Sequence, residues 1–230
     1  MFGFFAREPL SEKFSDLSNT LPTVDFRTVV DVGAHLGNTV AETLRFQPRA
    51  IIHAIEPAGL TFAELSRRFI GKSQIQCHNL ALGEVAGEAM ITVFGTSSGN
   101  RIVREKPDGV DVEQVTVKSG DEFARAAGME HASFVKIDTE GFDLVVLRGF
   151  SDMLREQRID ALQVEVSMGP QNRKHVSLSA VQDYVSSQGY WLFKLYNQAH
   201  ERKSPIARCA DAVFISTACI TANKRKQRKY

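Results

Sequence analysis

Residues 29–39 of the chain read VVDVGAHLGNT, and residues 51–57 read IIHAIEP. The apolar start of the first stretch predicts a buried strand, which breaks at Gly33 and Gly37 into a turn that opens a helix. The second stretch predicts another buried strand, which ends on Glu56, 19 residues after Gly37. In a βαβ unit such glycines let the backbone approach a ligand, and an acid at the tip of the second strand accepts from ribose hydroxyls. The pattern therefore predicts a site for a cofactor that contains a nucleoside.

The glycine turn also favours one cofactor over another. A dinucleotide site has the pattern Gly-x-Gly-x-x-Gly, in which a further glycine helps the pyrophosphate to approach the helix N-terminus. This turn has only Gly33 and Gly37, and Asp31 stands two residues before the first of them. A carboxylate at that position can bind the ammonium group of a methionine tail, directly or through water. We therefore expect S-adenosylmethionine, with NAD or a turn that binds no ligand as the alternatives.

Predicted strands alternate with predicted helices along the chain. The strands are residues 27–32, 50–55, 75–80, 133–137, 161–166, 190–196 and 211–217, and the helices are residues 38–46, 60–70, 142–148 and 179–187. This alternation predicts an α/β fold with a doubly wound, mostly parallel sheet. Residues 197–210 join the last two strands and carry no helical pattern, whereas a parallel return needs a crossover connection. We therefore expect one antiparallel strand near the C-terminus, as in the Rossmann-like sheet of class I methyltransferases.

The alternation is interrupted between the third and fourth strands. Residues 89–94 and 112–118 have the pattern of two β segments on either side of a polar loop, residues 95–111. Ser119 and Glu122 follow with the spacing of a capping box, which predicts the start of a short helix. The interruption therefore predicts a small β insertion in the α/β domain.

Length and composition are those of one globular domain. We assign residues 27–222 to it, residues 1–26 to a lead-in with a helix near residues 11–18, and residues 223–230 to a basic tail.

The net charge of +1 gives no general attraction to nucleic acid. We expect a cytoplasmic protein, because the sequence shows no signal peptide and no apolar run approaches the length of a membrane span. The tail is either frayed or weakly attracted to phosphate or anionic lipid, which allows at most peripheral membrane contact.

The cysteines show no CxxC spacing. We therefore expect reduced thiols at Cys77, Cys209 and Cys219, without a disulfide framework and without a zinc site.

Four motifs together resemble one family, the FkbM-type methyltransferases. They are residues 31–37, 55–57, 79–83 and 135–143, and the last of them, VKIDTEGFD, is the most specific. The resemblance covers about residues 27–196. It implies transfer of a methyl group from S-adenosylmethionine to a hydroxyl oxygen, often on a sugar or a polyketide-derived acceptor. His35 departs from the family pattern, in which asparagine is usual.

The resemblance and the strand pattern together assign the site. In methyltransferases the segment after the third strand contacts adenine, although here it could simply end that strand. The residues assigned to cofactor binding are Asp31, Gly33, His35, Gly37, Glu56, Pro57, Asn79 and Ala81. Those assigned to catalysis are Asp138, Glu140 and His175.

Three roles are open for the acids near the reacting methyl group. Asp138, at the tip of the fourth strand, or Glu140 can act as the general base that takes the acceptor's proton. Alternatively, both acids with Glu165 can hold a divalent cation, which is possible but not expected, and we assign no metal ligands. One acid can instead cap the following helix. His175 and His200 are alternative bases.

Three polar loops are candidates for binding the acceptor, which we expect to be a small molecule or a glycan. They are residues 96–101, 172–175 and 200–203, and their arginine and lysine side chains could pair with a phosphate or carboxylate. Two other functions stay open. One is a partner subunit that binds S-adenosylmethionine without turnover. The other, methylation of nucleic acid, is disfavoured by the near-neutral charge and the lack of an Asn/Asp-Pro-Pro-Tyr/Phe block after the fourth strand. No oligomeric state is predicted.

Overall fold

Strands and helices alternate through the computed structural model, which describes residues 10–169, 172, 174–201 and 204–227. Its strands are β1 (Thr28–Val32), β2 (Ile51–Ile55), β3 (Ile75–His78), β4 (Ala81–Gly83), β5 (Gly87–Thr92), β6 (Ile102–Val103), β7 (Val112–Ser119), β8 (Ala132–Ile137), β9 (Ile159–Ser167), β10 (Tyr190–His200) and β11 (Ala207–Ser216). Its helices are α1 (Leu10–Thr20), α2 (Asn38–Phe46), α3 (Gly59–Arg68), α4 (Gly120–Ala126), α5 (Asp143–Gly149), α6 (Ser151–Arg155), α7 (Leu178–Ser187) and α8 (Thr217–Gln227).

The central sheet has the strand order β10-β11-β9-β8-β1-β2-β3. Its strands are parallel except β11, which runs antiparallel to both β9 and β10. The predicted α/β class and its single reversed strand are thus confirmed. The predicted connection between the last two strands, residues 197–210, was too long, because β10 continues to His200 and β11 begins at Ala207. The remaining residues are too few for a crossover, and the two strands form a hairpin.

A second sheet contains the predicted β insertion, in the order β4-β7-β5-β6. The strand predicted for residues 75–80 was wrong at its end, because β3 stops at His78 and the chain turns into β4, which pairs in parallel with β7. Ser119 and Glu122 form the predicted capping box at the start of α4. The insertion is therefore joined to the central sheet by the turn after β3.

The core lies on both faces of the central sheet, because neighbouring strand residues alternate between two apolar clusters. Val30 and Val135 belong to one cluster, and Val29 and Phe134 to the other. Phe14 of α1 joins the second cluster, and its ring lies edge-on to Phe134 with 5.2 Å between the ring centroids. The helix predicted near residues 11–18 is therefore part of the packed core.

A helix that the sequence pattern did not predict follows β11. In α8, Cys219 and Asn223 are buried, and Asn223 accepts a hydrogen bond from the Thr23 backbone amide at 3.0 Å. The basic tail, predicted to be either frayed or weakly attracted to anions, is thus helical as far as Gln227, while residues 228–230 lie outside the described residues. Within the described chain, no helix combines the length and apolar character that crossing a bilayer requires.

Candidate active site

A cavity of about 450 Å³ opens where β1, β2 and β8 end, at the carboxyl edge of the parallel strands. This is the edge at which doubly wound sheets bind ligands, and the volume falls within the range of roughly 300–1,000 Å³ usual for small-molecule sites. The predicted site residues that line it are Gly33, His35, Glu56, Pro57, Ala81, Asp138, Glu140 and His175. Asp31, Gly37 and Asn79, although described, do not belong to its lining.

The turn after β1 requires glycine because backbone approaches backbone there. Gly33 has φ +81°, and a Cβ atom at this position would lie 2.0 Å from the carbonyl oxygen of Asp138. The Gly33 and Ala34 amides both donate to the Ile55 carbonyl, at 3.0 and 2.9 Å. At Gly37, with φ +75°, a Cβ atom would instead meet the Phe69 ring at 2.4 Å. Gly33 thus brings the tips of β1, β2 and β8 together, and Gly37 leaves room for the Phe69 ring.

The Glu56 carboxylate is fixed at the cavity by two backbone amides. His35 donates to its Oε2 at 2.9 Å and Ala58 to its Oε1 at 3.0 Å. Burial raises the pKa of Glu56, and the two amide hydrogen bonds oppose that shift. Because each carboxylate oxygen accepts more than one hydrogen bond, both oxygens retain capacity for ribose hydroxyls.

Asn79 acts on the loop that carries Glu56. Its Nδ2 donates to the Glu56 carbonyl at 3.1 Å and to the Pro57 carbonyl at 2.9 Å. The side chain that the sequence assigns to cofactor binding therefore ties the turn after β3 to the loop after β2.

A buried lysine joins two of the predicted acids. Nζ of Lys136 lies 3.3 Å from Oδ1 of Asp31 and 3.1 Å from Oδ2 of Asp138. Burial lowers the pKa of Lys136, but the charges of Asp138 and Asp31 outweigh it and hold the pKa above its ordinary value. Lys136, which lines the cavity, was missing from the sequence-based assignment, because it lies inside a predicted strand and not at its end.

Asp31 keeps one oxygen without a partner. The residue is fully buried, and its Oδ2 makes no hydrogen bond to any residue that the structure describes. Buried carboxylate oxygens are ordinarily satisfied, so this atom indicates a missing donor such as an ammonium group or a water molecule.

The loop before α5 is organised by a different acid, Asp143 at the first position of that helix. The Asp143 carboxylate accepts from the amides of Thr139 and Gly141, at 3.0 and 3.2 Å. Burial raises the pKa of Asp143 to about 6. Glu140, with φ +54°, instead pairs with Lys174 at 2.6 Å. The sequence signal for this role was the position of Asp143 in the first turn of the predicted helix, residues 142–148.

Two of the three predicted acceptor loops reach the cavity. Ser97, Ser98, Asn100 and Arg101 line it from the insertion, and Asn172, Lys174 and His175 from the segment after β9. Arg173, Arg202 and Lys203 lie outside the described residues. His200 ends β10 and is not part of the lining that the described residues form. Arg208 also lines the cavity and was missed, because it lies in a strand that was predicted to start later.

His175 lies deepest among these loop residues. Its side chain is 6% exposed, and its Nδ1 is 3.7 Å from Oε2 of Glu165. Burial lowers the pKa of His175, and the positive charge of Lys174 acts in the same direction. The imidazole is therefore neutral at neutral pH.

The fold is that of a class I methyltransferase. The profile of the methyltransferase FkbM domain matches residues 31–192. The chain therefore belongs to the FkbM methyltransferase family, which confirms the resemblance seen in its sequence.

Individual relatives agree with this assignment. Methyltransferase sdnD of Sordaria araneosa is 30% identical over an alignment of 180 residues, and the match covers 71% of this chain and 64% of the relative. The structure of an FkbM methyltransferase from Methylobacillus flagellatus KT covers 90% of this chain and 48% of its own, with 21% identity and a TM-score of 0.57. The structure of TrmK from M. capricolum, in complex with S-adenosylhomocysteine, covers 88% of this chain and 68% of its own, with 11% identity and a TM-score of 0.51. The chain thus spans about two thirds and about half of the first two proteins.

Proposed function

We propose that this protein transfers a methyl group from S-adenosylmethionine to a hydroxyl oxygen of a small-molecule or glycan acceptor. The observation that carries the proposal is the cavity that brings Glu56 and Asp138 together at the carboxyl edge of the sheet. One acid is positioned for a ribose and the other for the reacting group.

The residues present fit the donor. Glu56, fixed by two amides, would accept from the ribose hydroxyls, and the glycine turn at Gly33 would lie along the methionine moiety. The unsatisfied Oδ2 of Asp31 fits a water that bridges to the ammonium group, because Asp31 is fully buried and does not itself line the cavity. Pro57 and Ala81 would flank the adenine from the loops after β2 and β3.

The chemistry needs little beyond alignment and removal of a proton. The donor supplies a methyl group already activated by its sulfonium sulfur. The cavity would hold the acceptor oxygen in line with it, which lowers the barrier by proximity and orientation. Asp138 would take the hydroxyl proton as the carbon–oxygen bond forms. Lys136, whose Nζ lies 3.1 Å from Oδ2 of Asp138, would fix the orientation of that carboxylate.

Basic side chains in the cavity lining favour an acceptor that carries an anionic group. Besides Lys136 and the acids, Arg101, Lys174 and Arg208 line the cavity. Lys174 also forms an ion pair with Glu140. Guanidinium groups bind phosphate and carboxylate with paired hydrogen bonds, so phosphorylated or acidic acceptors are the first compounds to test.

The donor site is tested by isothermal titration calorimetry with S-adenosylmethionine, S-adenosylhomocysteine and NAD. We expect the first two to bind wild-type protein and the Glu64→Ala control, in which an exposed acid of α3 is removed. Glu56→Ala should lose binding by at least about tenfold, because hydrogen bonds to a buried charge are lost. Binding of NAD alone would contradict the proposal.

Transfer is tested with a radiolabelled methyl donor and a panel of nucleotide sugars, glycans and acidic metabolites. Asp138→Asn should retain S-adenosylhomocysteine binding and lose transfer. A wild-type protein that binds the donor but never consumes it would favour the partner-subunit alternative. Transfer that survives in Asp138→Asn would remove this residue from the role of base.

A further inference from the structure

Glu165, His175 and Cys209 form a cluster of metal-binding side chains beside the cavity. One ligand atom from each residue lies within 4.8 Å of the other two. Glu165 and His175 line the same cavity as Asp138. The reaction proposed above uses neither Glu165 nor Cys209, so the cluster has no role assigned to it.

The fold brings the three residues together from separate segments. Glu165 lies on β9 opposite Asp211 of β11, and Cys209 is two residues before Asp211. Since strand residues two apart face the same side, Glu165 and Cys209 are diagonal neighbours on one face of the sheet. His175 is held over them because the Ser167 amide donates to the Val176 carbonyl at 2.7 Å.

The His175 ring points to a missing ligand. Its side chain is 94% buried, since only 6% is exposed, and its Nδ1 faces Oε2 of Glu165 at 3.7 Å. That Nδ1 has no hydrogen-bond partner among the residues that the structure describes. A buried ring nitrogen is normally satisfied, and a cation between the imidazole and the carboxylate would satisfy it.

We propose that Glu165, His175 and Cys209 bind a transition-metal ion of the Zn²⁺ type. One oxygen, one nitrogen and one sulfur donor suit Zn²⁺, whereas a thiolate is a poor ligand for Mg²⁺ or Ca²⁺. The Glu165 carboxylate and the Cys209 thiolate together balance the charge of a divalent ion. The thiol releases its proton to solvent when the ion binds.

Three protein ligands leave one tetrahedral position open, which is the arrangement of catalytic zinc sites. Because Glu165 and His175 line the cavity, that position is available to the acceptor hydroxyl. The ion would lower the pKa of that hydroxyl. Asp138 would receive its proton while the carbon–oxygen bond forms and the carbon–sulfur bond breaks. This role in acceptor activation rests on the proposed function, whereas metal binding itself does not.

The test is Co²⁺ binding to the chelator-treated full-length protein, followed by absorption spectroscopy. We expect one equivalent of Co²⁺ to bind, with a thiolate-to-cobalt charge-transfer band that Zn²⁺ abolishes by displacement. Cys209→Ser should lose the band, and its affinity for Co²⁺ should fall by more than about 100-fold. Loss of a residue that only orients a metal ligand costs about 10- to 100-fold, so a larger loss indicates a direct ligand. Cys77→Ser is the matched control and should keep both.

Glu165→Gln provides a second variant, which keeps the thiol and should weaken Co²⁺ binding. Circular dichroism and S-adenosylhomocysteine binding verify that each variant is folded. Wild-type protein that binds S-adenosylhomocysteine but gives no thiolate band would overturn the metal site and leave the methyltransferase proposal intact. A band that persists in Cys209→Ser would also overturn it. Cobalt binding without S-adenosylhomocysteine binding would support the metal site and contradict the proposed function.

Discussion

The His35 ring joins the turn after β1 to the β insertion: its Nε2 lies 2.7 Å from the carbonyl oxygen of Thr96. His35 has φ +50°, a left-handed conformation that asparagine and histidine adopt more readily than most residues. This requirement explains why histidine can replace the asparagine usual in the family. The histidine ring is also long enough to contact Thr96, whose neighbours Ser97 and Ser98 line the cavity.

We predict that His35→Asn preserves stability but weakens S-adenosylhomocysteine binding by about two- to tenfold, the net value of one hydrogen bond. His35→Ala should show the same loss of affinity and also lose about 1 kcal/mol of stability, because alanine is strained in the left-handed region. Calorimetry and urea unfolding measure the two effects. Equal affinity of His35→Asn and wild type would show that the Thr96 contact does not organise the site.

Glu56→Gln is the sharpest change at the donor site, because it alters the charge and almost no volume. An amide nitrogen cannot accept from the backbone amide of His35 or Ala58, so one of the two fixing bonds is lost. We expect the dissociation constant of S-adenosylhomocysteine to rise by about 10- to 100-fold. Glu64→Gln on α3 is the control, and an unchanged affinity of Glu56→Gln would argue against a ribose role for this acid.

Lys136→Met should destabilise the fold by about 3–5 kcal/mol, because it leaves the fully buried Asp31 carboxylate without its counter-charge. Adding Asp31→Asn should recover a large part of that loss, since the uncompensated charge is then removed. Urea unfolding of the single and double variants measures this coupling. If the double variant is less stable than Lys136→Met, the Asp31–Lys136 pair is not the source of the destabilisation.

Acid should destabilise the protein partly through His53. Burial, aided by the neighbouring His78, lowers the pKa of His53 from 6.5 to about 4. The folded state therefore binds fewer protons than the unfolded state between these values, and stability falls as the pH drops through that window. His53 should contribute about 2–3 kcal/mol of loss between about pH 7.5 and pH 4.5.

His53→Gln cannot titrate and should show a correspondingly smaller loss over the same range. Urea unfolding at both pH values gives the comparison, with His200→Gln as the control for an exposed histidine. Parallel stability curves for wild type and His53→Gln would contradict this assignment.

The sequence predicted the secondary structure best where the local residue pattern matches the element that forms. Helix α2 has the predicted limits, because Gly37 starts it and its apolar residues have helical spacing. The reversal of β11 was also predictable, since the connection before it carries no helical pattern and a parallel return needs a crossover. Strands β4 and β6 have three and two residues, which is too short for any alternation to appear. Helix α8 escaped prediction because its basic residues resemble a solvated tail.

The candidate site was likewise predictable from the sequence only in part. Glu56 and Asp138 follow strand ends, so the carboxyl-edge rule predicts that they share a cavity. The link from Lys136 to Asp31 depends on the pairing of Asp31 with Lys136 between β1 and β8, which sequence spacing does not reveal. The expectation of no zinc site rested on spacing within one segment. The residues proposed here as metal ligands come from three segments, and such a set has no signature in the sequence.

The contact of Gly33 with the Asp138 carbonyl has a consequence for engineering the acceptor range. There is no room for a side chain between the turn and the tip of β8, so neither can shift without carrying the other along. The turn after β1 and the tip of β8 are thus held as one rigid frame. Selections for new acceptors should accumulate changes in residues 96–101 and 174–175, and leave position 33 invariant.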